Sequence, residues 1–342
     1  RIKEFYKRRL KRLLPAMFVV TLLSFPIAYF ALLPNDMRDY SASMVGMVTL
    51  SLNKMVANNI GYFSPLAETQ PLLHFWSLMV EIQFYLLIPL VFGLLTRYRK
   101  VLIGFLCIVF LVSLAWSQHL SFEDPKDNYF LLPSRLWQLC LGCLLFFVSE
   151  KNHLRTLGAD STRWAQNLLA VGLLSTFFAF SSELSHPGLI TIVPIFVFSF
   201  LLLLIVGLCS PQKVTWLGIA PLVFIGNRSF SLYLWHFVLI VAAKMTVDSI
   251  GLMAGTFIIL CSVLLSHLTY ELVERPFWRA EVYQPNRLGF LAVYGFAPIL
   301  IVSIGLVGFL NNGFENSWKS RVSWESARAY DLVTGAQDFS EV

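Results

Sequence analysis

Nine apolar runs, near 15–33, 75–95, 101–118, 133–149, 165–181, 188–208, 224–247, 252–273 and 288–310, are each long enough to cross a bilayer. A backbone in hydrocarbon has to satisfy its own N–H and C=O groups, and a helix does so within one segment. Only 13% of the residues are charged, where a soluble domain carries about 25%. The sequence therefore predicts an all-α, polytopic transmembrane helical bundle with nine visible spans. Thirty Phe, nine Trp and twelve Tyr suit lipid contact and interfacial belts.

A tenth segment, 41–57, is short and weakly apolar, and the basic residues decide its reading. If it stays on one side, 17 of the 26 Lys and Arg fall on the face that holds residues 1–14, and six fall on the other. If it crosses, the basic stretch 96–100 is separated from RIKEFYKRRLKR. The positive-inside rule then favours nine spans, a cytoplasmic N-terminus and an extracytoplasmic C-terminus. The net charge of +6 follows this sorting by side and does not point to nucleic acid.

Several spans carry ionisable residues, which at membrane depth usually face a polar cavity and serve a function. PLLHFWSLMVEIQFYLLIPL (71–90) holds His74, Trp76, Glu81 and Tyr85. On one continuous helix, His74, Leu78, Glu81 and Tyr85 form a single stripe. FIGNRSFSLYLWHFVLIV (224–241) places Ser229, Tyr233 and His236 on one face and adds Arg228. SHLTYELVERPFWR (266–279) does the same with His267, Glu271 and Glu274. There Glu274–Arg275 reads either as an interfacial pair at a helix end or as part of an acid–base site.

FYKRRLKRLLPA (5–16) sets five basic residues just ahead of a span. The cluster is topogenic, or Arg9 and Arg12 at i and i+3 hold the phosphates of a cytosolic ligand by forked hydrogen bonds. LPSRLWQLCLGCLL (132–145) begins at the outer face, so Arg135 snorkels there or lines a vestibule. Cys140 and Cys143 form a C-x-x-C inside a span with no second pair and read as packing residues, with no metal expected. Polar groups toward both faces, with a seam between them, suit a protein that moves or reacts something across the membrane.

FYKRRLKRLLPA, PLLHFWSLMVEIQFYLLIPL, RLWQLCLGCLL, IGNRSFSLYLWH and VERPFWR, in this order, resemble the membrane acyltransferase-three family. The nearest likeness is to bacterial O-antigen O-acetyltransferases, in which the membrane domain is followed by one more span and a periplasmic SGNH-type domain. The resemblance implies transfer of acetyl from cytosolic acetyl-CoA to a sugar hydroxyl of an O-antigen or lipopolysaccharide-type glycan. It also implies a multi-pass protein of the bacterial inner membrane, with a periplasmic C-terminus.

By position, Arg9 and Arg12 match the family's R-x-x-R on the acyl-CoA side, and Arg228 joins them as a donor-site candidate. Glu274, Glu81, His74 and His236 are the catalytic candidates; Trp76, Tyr85, Arg135 and Tyr233 are the acceptor-side candidates. Three departures stand out. Ile82 replaces the second carboxylate of a Glu-Glu pair, Gln138 stands where Glu is common, and the family's first two spans, one with a catalytic His, are not in this sequence. The expected organisation is thus 1–287 as a membrane domain lacking two of eleven spans, 288–310 as an additional span, and 311–342 as an extracytoplasmic linker to a further domain. A secondary transporter or glycan flippase is the alternative, but the sequence shows no internal repeat of the kind common in transporters.

Overall fold

The computed structural model describes residues 2–59, 69–149, 187–208, 218–245, 250–278 and 287–334, with scattered positions between 164 and 176. Among these the chain is helical and contains no strand. Among the described residues, seven helices are long and apolar enough to cross a membrane: 2–31, 73–95, 99–123, 125–148, 220–244, 252–277 and 289–310. They coincide with seven of the nine apolar runs. The run 188–208 forms a short 3-10 turn followed by a helix over Ile192–Leu208, and the run 165–181 lies almost wholly outside the described residues. Segment 41–57 is interrupted at Leu50, which has a left-handed φ of 58°. It divides into helices over Pro34–Val48 and Leu52–Asn59, and neither is among the seven.

In chain order the helices used below are α1 (Ile2–Ala31), α2 (Pro34–Val48), α3 (Leu52–Asn59), α4 (Trp76–Leu95), α5 (Arg99–Glu123), α6 (Pro125–Phe130), α7 (Leu132–Ser149), α8 (Ile192–Leu208), α9 (Ala220–Lys244), α10 (Leu252–Thr269) and α11 (Ala297–Leu310). The chain divides into two compact units. One holds residues 1–10, 53–62 and 75–230; the other holds 11–52, 63–74 and 231–342. Helices α1 and α9 each contribute to both.

In the first unit α5 and α7 pack along one another. Leu102, Leu106 and Cys140 are buried there among Phe92, Val109, Cys143 and Phe147. Ser113 of α5 ties the start of α7: its hydroxyl donates to the Pro133 carbonyl and accepts from the Trp137 N–H at 3.0 Å. Asp124 caps α6 by accepting from the Asp127 N–H, and Pro125 follows where a missing N–H costs nothing. The N-terminal turns of α1 run antiparallel to α4. Ile2 lies over Gly93, where a Cβ would come within 2.8 Å of it, and the Tyr6 hydroxyl donates to the Leu86 carbonyl at 2.8 Å.

In the second unit α2 packs against α11 through small residues, which let two backbones approach closely. A Cβ on Gly305 would sit 2.7 Å from the Ser41 carbonyl oxygen, and one on Gly308 would sit 2.3 Å from the Ser41 hydroxyl. Tyr40 is fully buried and donates to the Thr21 carbonyl at 3.1 Å, with the Ser24 hydroxyl 2.8 Å away. Within the stretch expected to be a linker, residues 315–319 and 324–334 are helical. Ser317 is hydrogen-bonded to Tyr29, and Arg321 lies 4.3 Å from the centre of the Tyr29 ring.

Candidate functional site

The first unit brings Arg9, Tyr85 and Glu81 together. Arg9 of α1 places its guanidinium carbon 4.5 Å from the centre of the Tyr85 ring and 5.5 Å from that of Phe5. The Tyr85 hydroxyl donates to Glu81 Oε1, one turn back on α4. Glu81 and Tyr85 thus share a face, as their spacing predicts. His74 lies outside that helix. It lies in a 3-10 turn over Leu73–Phe75, and α4 begins only at Trp76. The tighter turn changes the rotation per residue, so counting 3.6 residues per turn back from Glu81 fails there.

Trp76 and Arg135 also meet in this unit. The Arg135 guanidinium lies 5.5 Å from the Trp76 ring centre and 4.6 Å from that of Tyr129, and its Nε donates to the Tyr129 carbonyl at 3.0 Å. Two aromatic faces and a backbone acceptor therefore hold this side chain. Gln83 sits on the same helix and donates to Asn53 at 3.0 Å, and Asn53 in turn donates to the Phe130 carbonyl at 3.2 Å. Arg228 folds back on its own helix. Its Nη1 donates to the Phe224 carbonyl at 3.1 Å, and the guanidinium lies 3.7 Å from the Phe224 ring centre.

In the second unit His74, Tyr233 and His236 form one cluster. His74 is 5% exposed, with ring-centre separations of 5.1 Å to Tyr233 and 5.4 Å to His236. The Tyr233 hydroxyl donates to the His74 carbonyl. His74 Nε2 lies 3.2 Å from the Leu234 carbonyl, and His236 Nδ1 lies 2.7 Å from the Tyr233 carbonyl. A carbonyl oxygen only accepts, so His74 carries its hydrogen on Nε2 and His236 carries its hydrogen on Nδ1. A neutral His236 therefore presents the lone pair of Nε2, as a general base must. Ser229, which the sequence places on this face, is exposed.

Glu274 forms the other cluster of this unit. It is 4% exposed, and its Oε2 accepts from the Ser231 hydroxyl at 2.9 Å. Arg12, itself exposed on α1, lies within electrostatic range of it. One turn away, the Trp235 indole donates to Thr269 at 2.8 Å, so α9 is joined antiparallel to the end of α10 and the turn that follows it by two polar contacts. Residues 270–274 form a π turn. The extra residue in that turn shifts everything after it relative to an α-helical face, and such turns recur at functional sites. It explains two departures from the sequence reading. Glu271 does not share a face with Glu274; it pairs with Arg275 in the partly exposed i, i+4 arrangement. Glu274 consequently has no ion pair with Arg275 and is turned into the protein. Ser231 escaped the sequence reading because a serine in an apolar span carries no signal until its partner is known.

The family model described as an acyltransferase domain, acyltransferase-3, matches residues 1–271. An O-acetyltransferase, OatA of Staphylococcus aureus (strain NCTC 8325 / PS 47), is 29% identical over 93% of this chain and 56% of its own length. BcsY of Komagataeibacter xylinus, which bears the provisional name membrane-bound transacylase, is 30% identical over 90% of this chain and 76% of its own length. The chain thus spans little more than half of the OatA relative. No solved structure matches it. The family match across most of the chain and the seven membrane-length helices among the described residues agree: it belongs to the acyltransferase-three family.

Proposed function

We propose that the protein is a membrane O-acyltransferase that takes an acetyl group from cytosolic acetyl-CoA and delivers it to a sugar hydroxyl of an extracytoplasmic glycan of the O-antigen or lipopolysaccharide type. It works in the bacterial inner membrane, with a cytoplasmic N-terminus and a periplasmic C-terminus. The observation that carries this reading is the acyltransferase match over residues 1–271. The O-acetyltransferase name of the OatA relative supports the acetyl group and the oxygen acceptor. The sorting of basic residues supports the orientation.

Arg9 and Arg12 sit one turn apart on a single helix and offer planar, multiply donating cations suited to the phosphates of coenzyme A. Arg228 stands as an outlying donor-site cation. On the acceptor side, Trp76 and Arg135 offer an aromatic face and a fixed cation to a sugar, and Tyr233 orients the His74 backbone. The chemistry is acyl transfer. The glycan oxygen attacks the thioester carbonyl carbon, the C–S bond breaks, the hydroxyl proton passes to a base, and coenzyme A leaves as the thiol after gaining a proton. His236 Nε2 is the proton acceptor, with His74 packed against it. Glu274, held by Ser231 and beside Arg12, is the acidic group of the donor side.

Thiol release from acetyl-CoA by the full-length protein in proteoliposomes tests the reading. Release that requires glycan and is lost in His236→Ala and Glu274→Gln is expected. Glycan-independent release that both variants retain would contradict it.

A further inference from the structure

The carboxylate of Glu81 lies one residue removed from the guanidinium of Arg9. Here the Tyr85 phenol stands between them: its hydroxyl donates to Glu81 Oε1, and its ring lies 4.5 Å from Arg9 Cζ. Phe5 closes the other side, 5.5 Å from Arg9 Cζ and edge-on to Tyr85 at 5.9 Å. Tyr6, the neighbour of Phe5, fixes the crossing by donating to the Leu86 carbonyl at 2.8 Å. Among the described residues neither Arg9 nor Glu81 enters an ion pair.

We infer that Glu81 and Tyr85 are positioning residues for Arg9 rather than an acid–base pair, and that together with Phe5 they hold Arg9 un-neutralised for an anionic phosphate. The inference rests on the donor-site reading above. An aromatic ring attracts a cation without supplying an oxygen acceptor, so the contact fixes the guanidinium and leaves its N–H donors for a ligand. A direct Glu81–Arg9 bridge would use those donors and cancel the charge that draws a phosphate. Interposing a phenol keeps the carboxylate satisfied by a hydrogen bond and leaves the guanidinium charge uncompensated. The task of Glu81 is then to fix the rotation of the Tyr85 ring.

Equilibrium binding of radiolabelled acetyl-CoA to the full-length protein in nanodiscs tests this, alongside thiol release. Tyr85→Phe keeps the ring and loses the hydroxyl; it is expected to weaken binding about 3–10-fold, roughly what one lost hydrogen bond gives. The change falls on KM for acetyl-CoA rather than on kcat. Glu81→Leu behaves in the same way. Glu81→Gln, whose amide oxygen still accepts from the phenol, recovers most of the binding that Glu81→Leu loses. If Arg9→Ala weakens binding while Tyr85→Phe and Glu81→Leu bind as the parent does, the donor reading survives and this inference is wrong. If Glu81→Gln leaves binding intact and abolishes kcat, Glu81 is an acid–base group and the inference is wrong. A parent protein that does not bind acetyl-CoA at all overturns the donor reading and this inference with it.

Discussion

The Ser231 hydroxyl of α9 donates at 2.9 Å to the carboxylate of Glu274, in the π turn that follows α10. Both side chains are buried, at 0% and 4% exposure. A buried carboxylate that loses a donor is left short of a hydrogen bond worth about 1.5–3 kcal/mol. Ser231→Ala should therefore lower acetyl transfer by about 10–100-fold, whereas Ser231→Thr, which keeps the hydroxyl, should retain most of it. Turnover of the two variants, compared at equal amounts of folded protein, checks this.

The contact between α2 and α11 makes a sharper prediction about stability. A Cβ on Gly305 meets the Ser41 backbone oxygen, whereas a Cβ on Gly308 meets mainly the Ser41 side chain. Overpacking of this kind costs about 1–3 kcal/mol. Both Gly305→Ala and Gly308→Ala should lower Tm. A second change, Ser41→Gly, should rescue much of the loss at 308 and little of it at 305, because only the side chain can be removed.

Asp36 lies in the short helix α2, outside the spans. Burial raises its carboxyl above the ordinary 3.8, and the hydrogen bond it accepts from Thr69 at 2.7 Å opposes that shift. A carboxyl with a raised folded-state value favours folding when protonated. Its contribution is complete below 3.8 and is lost as the pH climbs through the raised value. Asp36→Asn keeps an oxygen for Thr69 and removes the charge. It should raise Tm at neutral pH, and the difference from the parent should vanish below about pH 3.8, where both side chains are neutral. A Tm series across pH measures this directly.

Arg135 is held by Tyr129 and Trp76, which suits a guanidinium and not an ammonium. Arg135→Lys should raise KM for the glycan several-fold and leave KM for acetyl-CoA unchanged. Initial rates with each substrate varied in turn separate the two effects.

The helical architecture was legible because lipid imposes it: length and hydropathy alone locate the seven membrane-length helices among the described residues. The chemistry was legible only in part. Glu81 and Tyr85 meet as their i, i+4 spacing predicts, since α4 is regular there. His74 lies in a 3-10 turn and Glu274 in a π turn, each of which alters the helical period locally, and neither turn has a composition that marks it. Ser231 and Asn53 gain their meaning from partners 43 and 30 residues away, Glu274 and Gln83, and no periodicity reports such pairs. The left-handed Leu50 that divides 41–57 is likewise a break at a residue type that does not favour one.

We propose that an acetyl group, and neither coenzyme A nor a whole glycan, passes from the cytosolic to the outer side. Doubly labelled acetyl-CoA, with one isotope in the acetyl group and another in the adenine, tests it when supplied to the cytosolic face of oriented vesicles holding the full-length protein and an outer-face glycan. Acetyl label on the glycan, adenine label retained on the cytosolic side, and loss of the transfer in His236→Ala are expected. Movement of intact glycan across the membrane with no acetyl label on it would contradict the account and establish a transporter in its place.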